Sequence, residues 1–529
     1  MSKNDFMKAL VNQNNLTETE NGAGALKSTL NYCIDAFATL GTVRTNETDD
    51  FIITTFSKAY AENRETALRM LFYFRDIRGG QGARRVFRVC MNWLAEVDDT
   101  FVTRNLDNFL FFGRGDDLLC LLGTKAEAAM IQFIKYTLKD DFKKAQNFEN
   151  PTLLAKWIPS LNTSSPETVS KAKYLCAKLG YTPKQYRKTL STIRKALNVV
   201  EQKMSSKEWK EIDYEKVPSR ASMIYSNAFE RHDEEGYFDY IKKVSLGEAK
   251  VNAGALFPFD IVKKANQYNV KTKKDRILLD AMWKALPDYS NSNETGICVV
   301  DVSGSMCGDP LIVAMSLGIY CADKCRGPFH NKFFTFSNNP QLQEIVGVDI
   351  VEKVRNLERA DWEGSTNIEA VFDIILKTAI ENNLKQEDLP SKLYIISDMQ
   401  FNEAQGGERV WVNDKVGAWA GYGHWEVKER KPFMQTMKKK YAEAGYKLPG
   451  IVYWNVRNSD CGMFQQTFEG ENCCMVSGYS PSLFKAILEG TAYEETVNEK
   501  GEKVITEKVD PIDVMNKAVY NERYDRVLI

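Results

Sequence analysis

The sequence predicts two structural classes in one chain: an α-helical array, then a doubly wound, mainly parallel α/β domain. Three observations predict it. Apolar residues recur at helical spacing, broken by frequent glycines, from Gly22 to about Pro287; from Thr295 onward short apolar, β-branched runs alternate with helical stretches; and two of those runs end on an aspartate. The expected boundaries are a flexible N-terminus over 1–21, a helical domain over 22–290, an α/β domain over 291–490 with an insertion near 400–428, and a C-terminal extension over 491–529.

In the first half, Leu26, Leu30, Cys33, Ile34, Phe37 and Leu40 make one apolar stripe. Leu68, Leu71, Phe72 and Phe74 fall in a second helix, and Val86, Phe87, Cys90, Trp93 and Leu94 in a third. Breaks fall at Gly41, at Gly79-Gly80-Gln81-Gly82 and at Gly113-Arg114-Gly115. A long series of one-striped helices must bury each stripe against its neighbours, which suggests an α-solenoid or irregular helical array. In the second half, strands are expected over Ile297 to Val300, Lys332 to Phe336, Leu393 to Ser397, Ile451 to Trp454 and Cys474 to Ser477, separated by helices such as Leu311 to Cys325 and Asn367 to Ile380. Ligands of such sheets bind beyond the carboxyl ends of the strands. The segment Gln400 to Lys428, rich in Gly, Trp and charge, reads as a long insertion or a partner-binding loop, and the polar tail from Thr491 as a hairpin before a final helix near Pro511 to Val519.

At 529 residues the chain is long enough for two or three cores. Its net charge of −1 excludes a strong field from the total, but the halves differ: the first is basic, and residues 151–200 hold nearly all of that excess. No basic-then-apolar leader follows Met1, and no apolar run approaches the roughly 18 residues of a membrane span, so a soluble, cytoplasmic protein is expected. The 11 cysteines are scattered without a Cys-x-x-Cys pair and read as reduced core residues, with a slight chance of zinc at Cys321 and Cys325 or at Cys473 and Cys474.

The run Asp301-Val302-Ser303-Gly304-Ser305, straight after a strand, offers one carboxylate and two hydroxyls at alternate positions of one loop. Three hard oxygens suit Mg²⁺, or Mn²⁺ or Ca²⁺, better than Zn²⁺. Gly364-Ser365-Thr366-Asn367 before a helix, and Ile395-Ile396-Ser397-Asp398 closing a strand, complete a set that resembles the metal-ion-dependent adhesion site of von Willebrand factor A domains. The resemblance implies that Asp301, Ser303, Ser305, Thr366 and Asp398 surround one divalent ion, the two serines directly and the others in or just beyond its first shell. A capped strand-to-helix turn is the plain alternative for the first loop alone.

Residues 151–200 carry Lys156, Lys171, Lys173, Lys178, Lys184, Arg187, Lys188, Arg194 and Lys195, interleaved with Trp157, Tyr174, Tyr181 and Tyr186. Cations for phosphates and aromatic faces for bases are what single-stranded nucleic acid needs. Arg187, Ser191 and Arg194 share one helical face and Leu190, Ile193 and Leu197 another, which points the charges away from the core; a solvated basic face is the plain alternative. A second cluster, from Arg75 through Arg78, Arg84 and Arg85 across the glycine-rich turn, could bring backbone N–H groups and guanidiniums to a phosphate, or could be a turn held by pairs with Asp116 and Asp117. It lacks the Gly-Lys-Ser/Thr ending of a P-loop.

Arg75 to Phe87, Gly113 to Leu119, Tyr186 to Leu190, Val217-Pro218-Ser219, Asn252 to Pro258 and Ile451 to Arg457 resemble a family of bacterial, viral and plant proteins classed as a domain of unknown function. That family is similar in architecture to the Ro autoantigen, a helical TROVE module of HEAT-like repeats followed by a von Willebrand factor A domain. The resemblance implies a non-catalytic, RNA-binding ribonucleoprotein scaffold whose helical module holds small structured RNA and the single-stranded ends of misfolded RNA, here through Arg78, Arg84, Arg85, Lys184, Arg187, Lys188, Arg194 and Lys195. The alternative is a metal-dependent protein-interaction module that binds no RNA, its cation completed by a partner's carboxylate. A hydrolase is disfavoured: His232, His330 and His424 do not cluster, and the position two residues after Asp301, where a phosphatase needs its second Asp, is Ser303.

Overall fold

The computed structural model describes residues 3–44, 47–267, 272–289, 295–325, 327–335, 340–358, 367–401, 409–413, 423–427, 433–457, 464–470, 472–497 and 503–529. They divide into two compact units. Met1–Thr42, Asp288–Val348 and Glu352–Lys517 make the first; Val43–Pro287, Asp349–Val351 and Ala518–Ile529 make the second. No helix among the described residues is long and apolar enough to cross a membrane.

The first unit opens with a helix, Lys3–Asn15, and a small antiparallel pair, β1 (Leu16–Glu18) and β2 (Gly24–Leu26). Its main sheet is built from β3 (Ile297–Val300), β4 (Lys332–Thr335), β5 (Leu342–Glu344) and β6 (Lys392–Ser397), then, after a hairpin of β7 (Arg409–Asn413) and β8 (Gly423–Val427), from β9 (Gly450–Asn455) and β10 (Cys473–Ser477). The order is β10-β9-β6-β3-β4-β5, parallel throughout except for the antiparallel edge strand β5. Side chains alternate across the sheet. Ile297, Val299, Leu393, Ile395, Ile451 and Tyr453 point to one face, where they pack on Val371, Phe372 and Ile375 of the helix Ile368–Glu381 and on Met437 and Tyr441 of Phe433–Glu443. The helix Asp309–Lys324 packs on β3 and β6, and Phe484 of Ser482–Glu489 meets the Tyr394 ring at 5.2 Å. A second hairpin, β11 (Thr491–Val497) with β12 (Lys503–Val509), precedes the helix Pro511–Val519.

Two boundaries expected from the sequence are corrected here. Residues 22–42, expected to open the helical domain, belong to the first unit instead: Tyr32–Leu40 is a helix buried on nearly every side and packed along β10, with Ser477 Oγ donating to the Phe37 carbonyl at 2.7 Å and accepting from Gly41 N–H at 3.0 Å. An apolar stripe shows that a helix must be covered but not by which core. The C-terminal extension is likewise divided between the two units, at Lys517.

In the second unit the described residues form helices and 3₁₀ turns with no strand, from Asp49–Glu62 to Lys273–Lys284. Phe72 gathers Phe87 at 5.5 Å and Phe112 at 5.3 Å, and the tail residue Tyr524 stacks on Phe112 at 5.4 Å. The turn after Arg64–Arg75 depends on glycine twice: a Cβ on Gly80 would fall 1.9 Å from the Tyr73 carbonyl oxygen, and Gly82 takes φ +62°. Arg523 clamps this turn through bonds to Asp76.

Candidate functional site

Strands β3 and β6 are neighbours, with Val300 opposite Ile396 and the Asp301 N–H donating to the Ile396 carbonyl at 2.9 Å. Two parallel strands ending in step deliver their next residues to one place, so Asp301 and Asp398 both sit at the carboxyl edge of the sheet. Both are buried, at 0 % and 2 % exposure, and Ser303 is buried at 5 %. Asp301 Oδ1 accepts from the Ser303 N–H at 2.9 Å, which bends the loop back, and Oδ2 accepts from Ser397 Oγ at 2.5 Å. The Ser303 and Ser305 hydroxyls meet at 3.0 Å. Asp398 Oδ1 accepts from the Gln400 N–H at 3.1 Å.

Burial first, and then the charge of Asp398, push the Asp301 carboxyl up to about 6 against the hydrogen bonds from Ser397 and Ser303. Among the described residues no Lys, Arg or His pairs with either aspartate. Two desolvated carboxylates without a cation are costly, and a divalent ion would remove the cost, as protonation of Asp301 also would. The residues therefore fit such an ion: Asp301, Asp398, Ser303 and Ser305 supply only hard oxygens. Thr366 lies outside the described residues; Asn367, next to it, caps the helix Ile368–Glu381 through the Ala370 N–H at 3.1 Å. Among the described residues no three of His, Cys, Asp and Glu gather as a metal site, so the cysteine pairs build no such group and the candidate centre relies on hydroxyls beside its two acids.

Two participants carried no assigned role in the sequence reading. Ser397 precedes Asp398 at the end of β6 and holds Asp301 instead; a hydroxyl at the last position of a strand beside a metal loop was the available signal. Arg457, just past β9, donates through Nη1 to the Ser305 carbonyl and is exposed. His232 stacks on Trp209 at 4.3 Å, and His330 Nδ1 lies 2.8 Å from the Cys325 carbonyl.

The basic residues of the helical unit separate into two groups. Pro183–Ala196 starts with a capping box between Thr182 and Gln185, and Lys184, Lys188 and Lys195 follow one another along its exposed side with Arg187 beside them. Among the described residues none of these four has an ionic partner. Arg194 departs from expectation. It turns inward and donates to the Ala155 carbonyl at 2.7 Å, Ser160 Oγ at 2.6 Å and the Ile158 carbonyl at 3.0 Å, and burial lowers its pKa. The guanidinium is long enough to leave the basic face and satisfy buried carbonyls, which spacing alone does not reveal. Tyr186 is also core, its hydroxyl donating to the Pro159 carbonyl at 2.7 Å, and Lys156 meets Glu201 at 3.3 Å.

In the glycine-rich cluster the pairs with Asp116 and Asp117 are present: Arg75 and Arg88 share Asp117 at 2.6 and 2.7 Å, and Arg88 reaches Asp116 at 2.9 Å, which Arg114 also holds. Arg85 is taken by Asp49 at 2.8 Å and the Glu47 carbonyl at 2.5 Å. Arg78 and Arg84 are exposed, with no carboxylate partner among the described residues.

Residues 19–111 and 165–289 match the model of a Domain of unknown function (DUF2828), and residues 295–519 that of a second Domain of unknown function (DUF7788). The chain is 31% identical over 521 residues to "Uncharacterized protein L728" of Acanthamoeba polyphaga mimivirus, an alignment covering 90% of this chain and 85% of that protein.

Proposed function

This chain belongs to the family of the mimivirus protein, and from that premise we propose that it is a non-catalytic binding protein of Ro-like design: a von Willebrand factor A-like unit with a metal-ion-dependent adhesion site, and a TROVE-like helical unit that binds RNA. One observation carries the metal-dependent part: the buried pair Asp301 and Asp398, with no cationic side chain on either among the described residues, beside the hydroxyls of Ser303 and Ser305. The ion would be held by these four with Thr366. When bound it supplies a Lewis-acidic position for a partner's carboxylate. The chain's own residues orient that position: Ser397 holds Asp301 and Arg457 holds the loop at Ser305. The RNA reading is supported by a separate observation, the exposed stripe Lys184, Arg187, Lys188 and Lys195, which has no ionic partner among the described residues.

Titration calorimetry of the full chain with Mg²⁺ and Mn²⁺ tests the first part. One site is expected in the wild type and none in Asp301→Asn or Ser303→Ala; equal binding by wild type and variants would overturn it. Anisotropy of a labelled single-stranded RNA tests the second. RNA binding with a steep salt dependence supports the scaffold, whereas metal binding without RNA binding leaves the protein-interaction module.

A further inference from the structure

Inside the helical unit, a cavity of about 450 Å³ opens among Leu106–Phe112, the turn Gly113-Arg114-Gly115, Glu127–Gln146, Leu154–Trp157 and the C-terminal tail. That is within the size range of small-ligand sites. Phe111, Phe133, Tyr136 and Trp157 line it with rings, and Arg114 and Arg526 line it with guanidiniums. Tyr136 is 75 % exposed, so its ring is open to a stacking partner.

The two guanidiniums already sit over aromatic rings. Arg114 lies 3.8 Å over Trp157, and Arg526 3.8 Å over Phe111. Each is oriented through only part of its donor set, Arg114 by Asp116 and Arg526 by Asp107 and the Asn108 amide. Arg114 gives Nε and Nη2 to Asp116, and Arg526 gives Nε to Asn108 and Nη2 to Asp107, so among the described residues Nη1 of each has no acceptor. Charge points the same way. Arg75, Arg88 and Arg114 share two carboxylates, Asp116 and Asp117, which leaves one positive charge in excess, and the exposed Arg84, close enough to Arg114 for the two to repel, adds a second. The remaining carboxylates of the lining are spoken for: Asp107 by Arg526, Asp140 by Lys144 at 2.8 Å.

The open ring of Tyr136 beside pre-oriented, partly satisfied guanidiniums matches a ligand with one flat ring and one anion. We propose that this cavity binds a nucleoside monophosphate unit, its base stacked on Tyr136 and its phosphate bridging Nη1 of Arg114 and Nη1 of Arg526. The unit is either a free nucleotide or the 5′-terminal nucleotide of a strand. The proposal is independent of the Lys184–Lys195 stripe, since a free nucleotide needs none of it.

The experiment is titration of the full chain with AMP, UMP, adenosine and inorganic phosphate, followed by competition with a hexamer RNA carrying a 5′-phosphate or a 5′-hydroxyl. AMP and UMP should bind at least about tenfold more tightly than adenosine or phosphate, and Tyr136→Ala should weaken AMP about tenfold, the loss of one base stack. Arg526→Gln should abolish the preference for AMP over adenosine. Displacement of AMP by the 5′-phosphorylated hexamer alone identifies a strand end as the source; displacement by neither identifies the free nucleotide. AMP binding no tighter than phosphate, or equal AMP affinity in wild type and a Tyr136→Ala variant with the same melting temperature, would overturn the proposal.

Discussion

Ser397 donates its hydroxyl proton to Oδ2 of Asp301 at 2.5 Å, a bond between adjacent strand ends at the point where the candidate metal loop departs. The Met399 N–H in turn donates to Ser397 Oγ at 3.0 Å, so the hydroxyl is held in place from the far side. Ser397→Ala would strip Asp301 of one partner while leaving every proposed ligand. Its expected effect is a cation affinity 10- to 100-fold weaker, with a stability loss of about 1–3 kcal/mol. Calorimetry with Mn²⁺ and urea unfolding of the same sample measure both; an unchanged affinity would show that Asp301 needs no such support.

Acid should weaken the helical unit through Asp116. Burial acts to raise its pKa, but the bonds from Arg114 and then Arg88 overcome this and lower it to about 2. A carboxyl depressed from an unfolded value near 3.9 contributes stability that is fully present above that value and lost as pH falls toward about 2. The contribution is about 2 kcal/mol. Urea unfolding at pH 6, 4 and 3 should therefore show wild type converging on Asp116→Asn as pH drops; parallel curves would remove Asp116 from the acid response.

Much of the sheet was legible because buried parallel strands are written as short β-branched runs between breakers. Ile297–Val300 matches its expected span, and the expected Leu393 to Ser397 and Ile451 to Trp454 fall within the observed strands. The edge strand Leu342–Glu344 was not, being three residues with its first and last exposed. Of the candidate metal residues, the type and order of Asp301, Ser303, Ser305 and Asp398 were readable, since a ligand loop must follow its strand directly. The support from Ser397 and Arg457 was not, because it depends on which strands become neighbours. Arg194 shows the limit most plainly: it shares a helical face with Arg187 by count, yet its side chain serves the interior.

The close approach of Gly41 to Ser477 is the test of where the N-terminal helix belongs. A Cβ at position 41 would meet the Ser477 carbonyl oxygen at 2.2 Å, a backbone atom that cannot move aside cheaply. Gly41→Ala should destabilise the sheet-bearing unit by about 1–3 kcal/mol. Deletion of residues 1–42 should cost more, because it also uncovers the side of β10 on which Tyr32–Leu40 packs. Melting at the wild-type temperature in Gly41→Ala would show that the helix docks elsewhere.

The stripe on Pro183–Ala196 separates an RNA surface from a solvated one. Lys184, Arg187, Lys188 and Lys195 are exposed and make no ion pair among the described residues, so reversing all four to Glu should leave the melting temperature close to wild type. If they contact phosphates of a single strand, each contact contributes about 0.7 to the slope of log affinity against log salt, and the quadruple variant should lose about 3 from that slope. Arg194→Ala should do the opposite. Removing it leaves the Ala155 and Ile158 carbonyls and the Ser160 hydroxyl without their donor, a loss of about 2–3 kcal/mol in urea unfolding, while the salt slope stays that of wild type. A quadruple variant that retains the full slope makes the stripe an ordinary hydrated helix face, and a slope that falls in Arg194→Ala instead would place this arginine at the RNA after all.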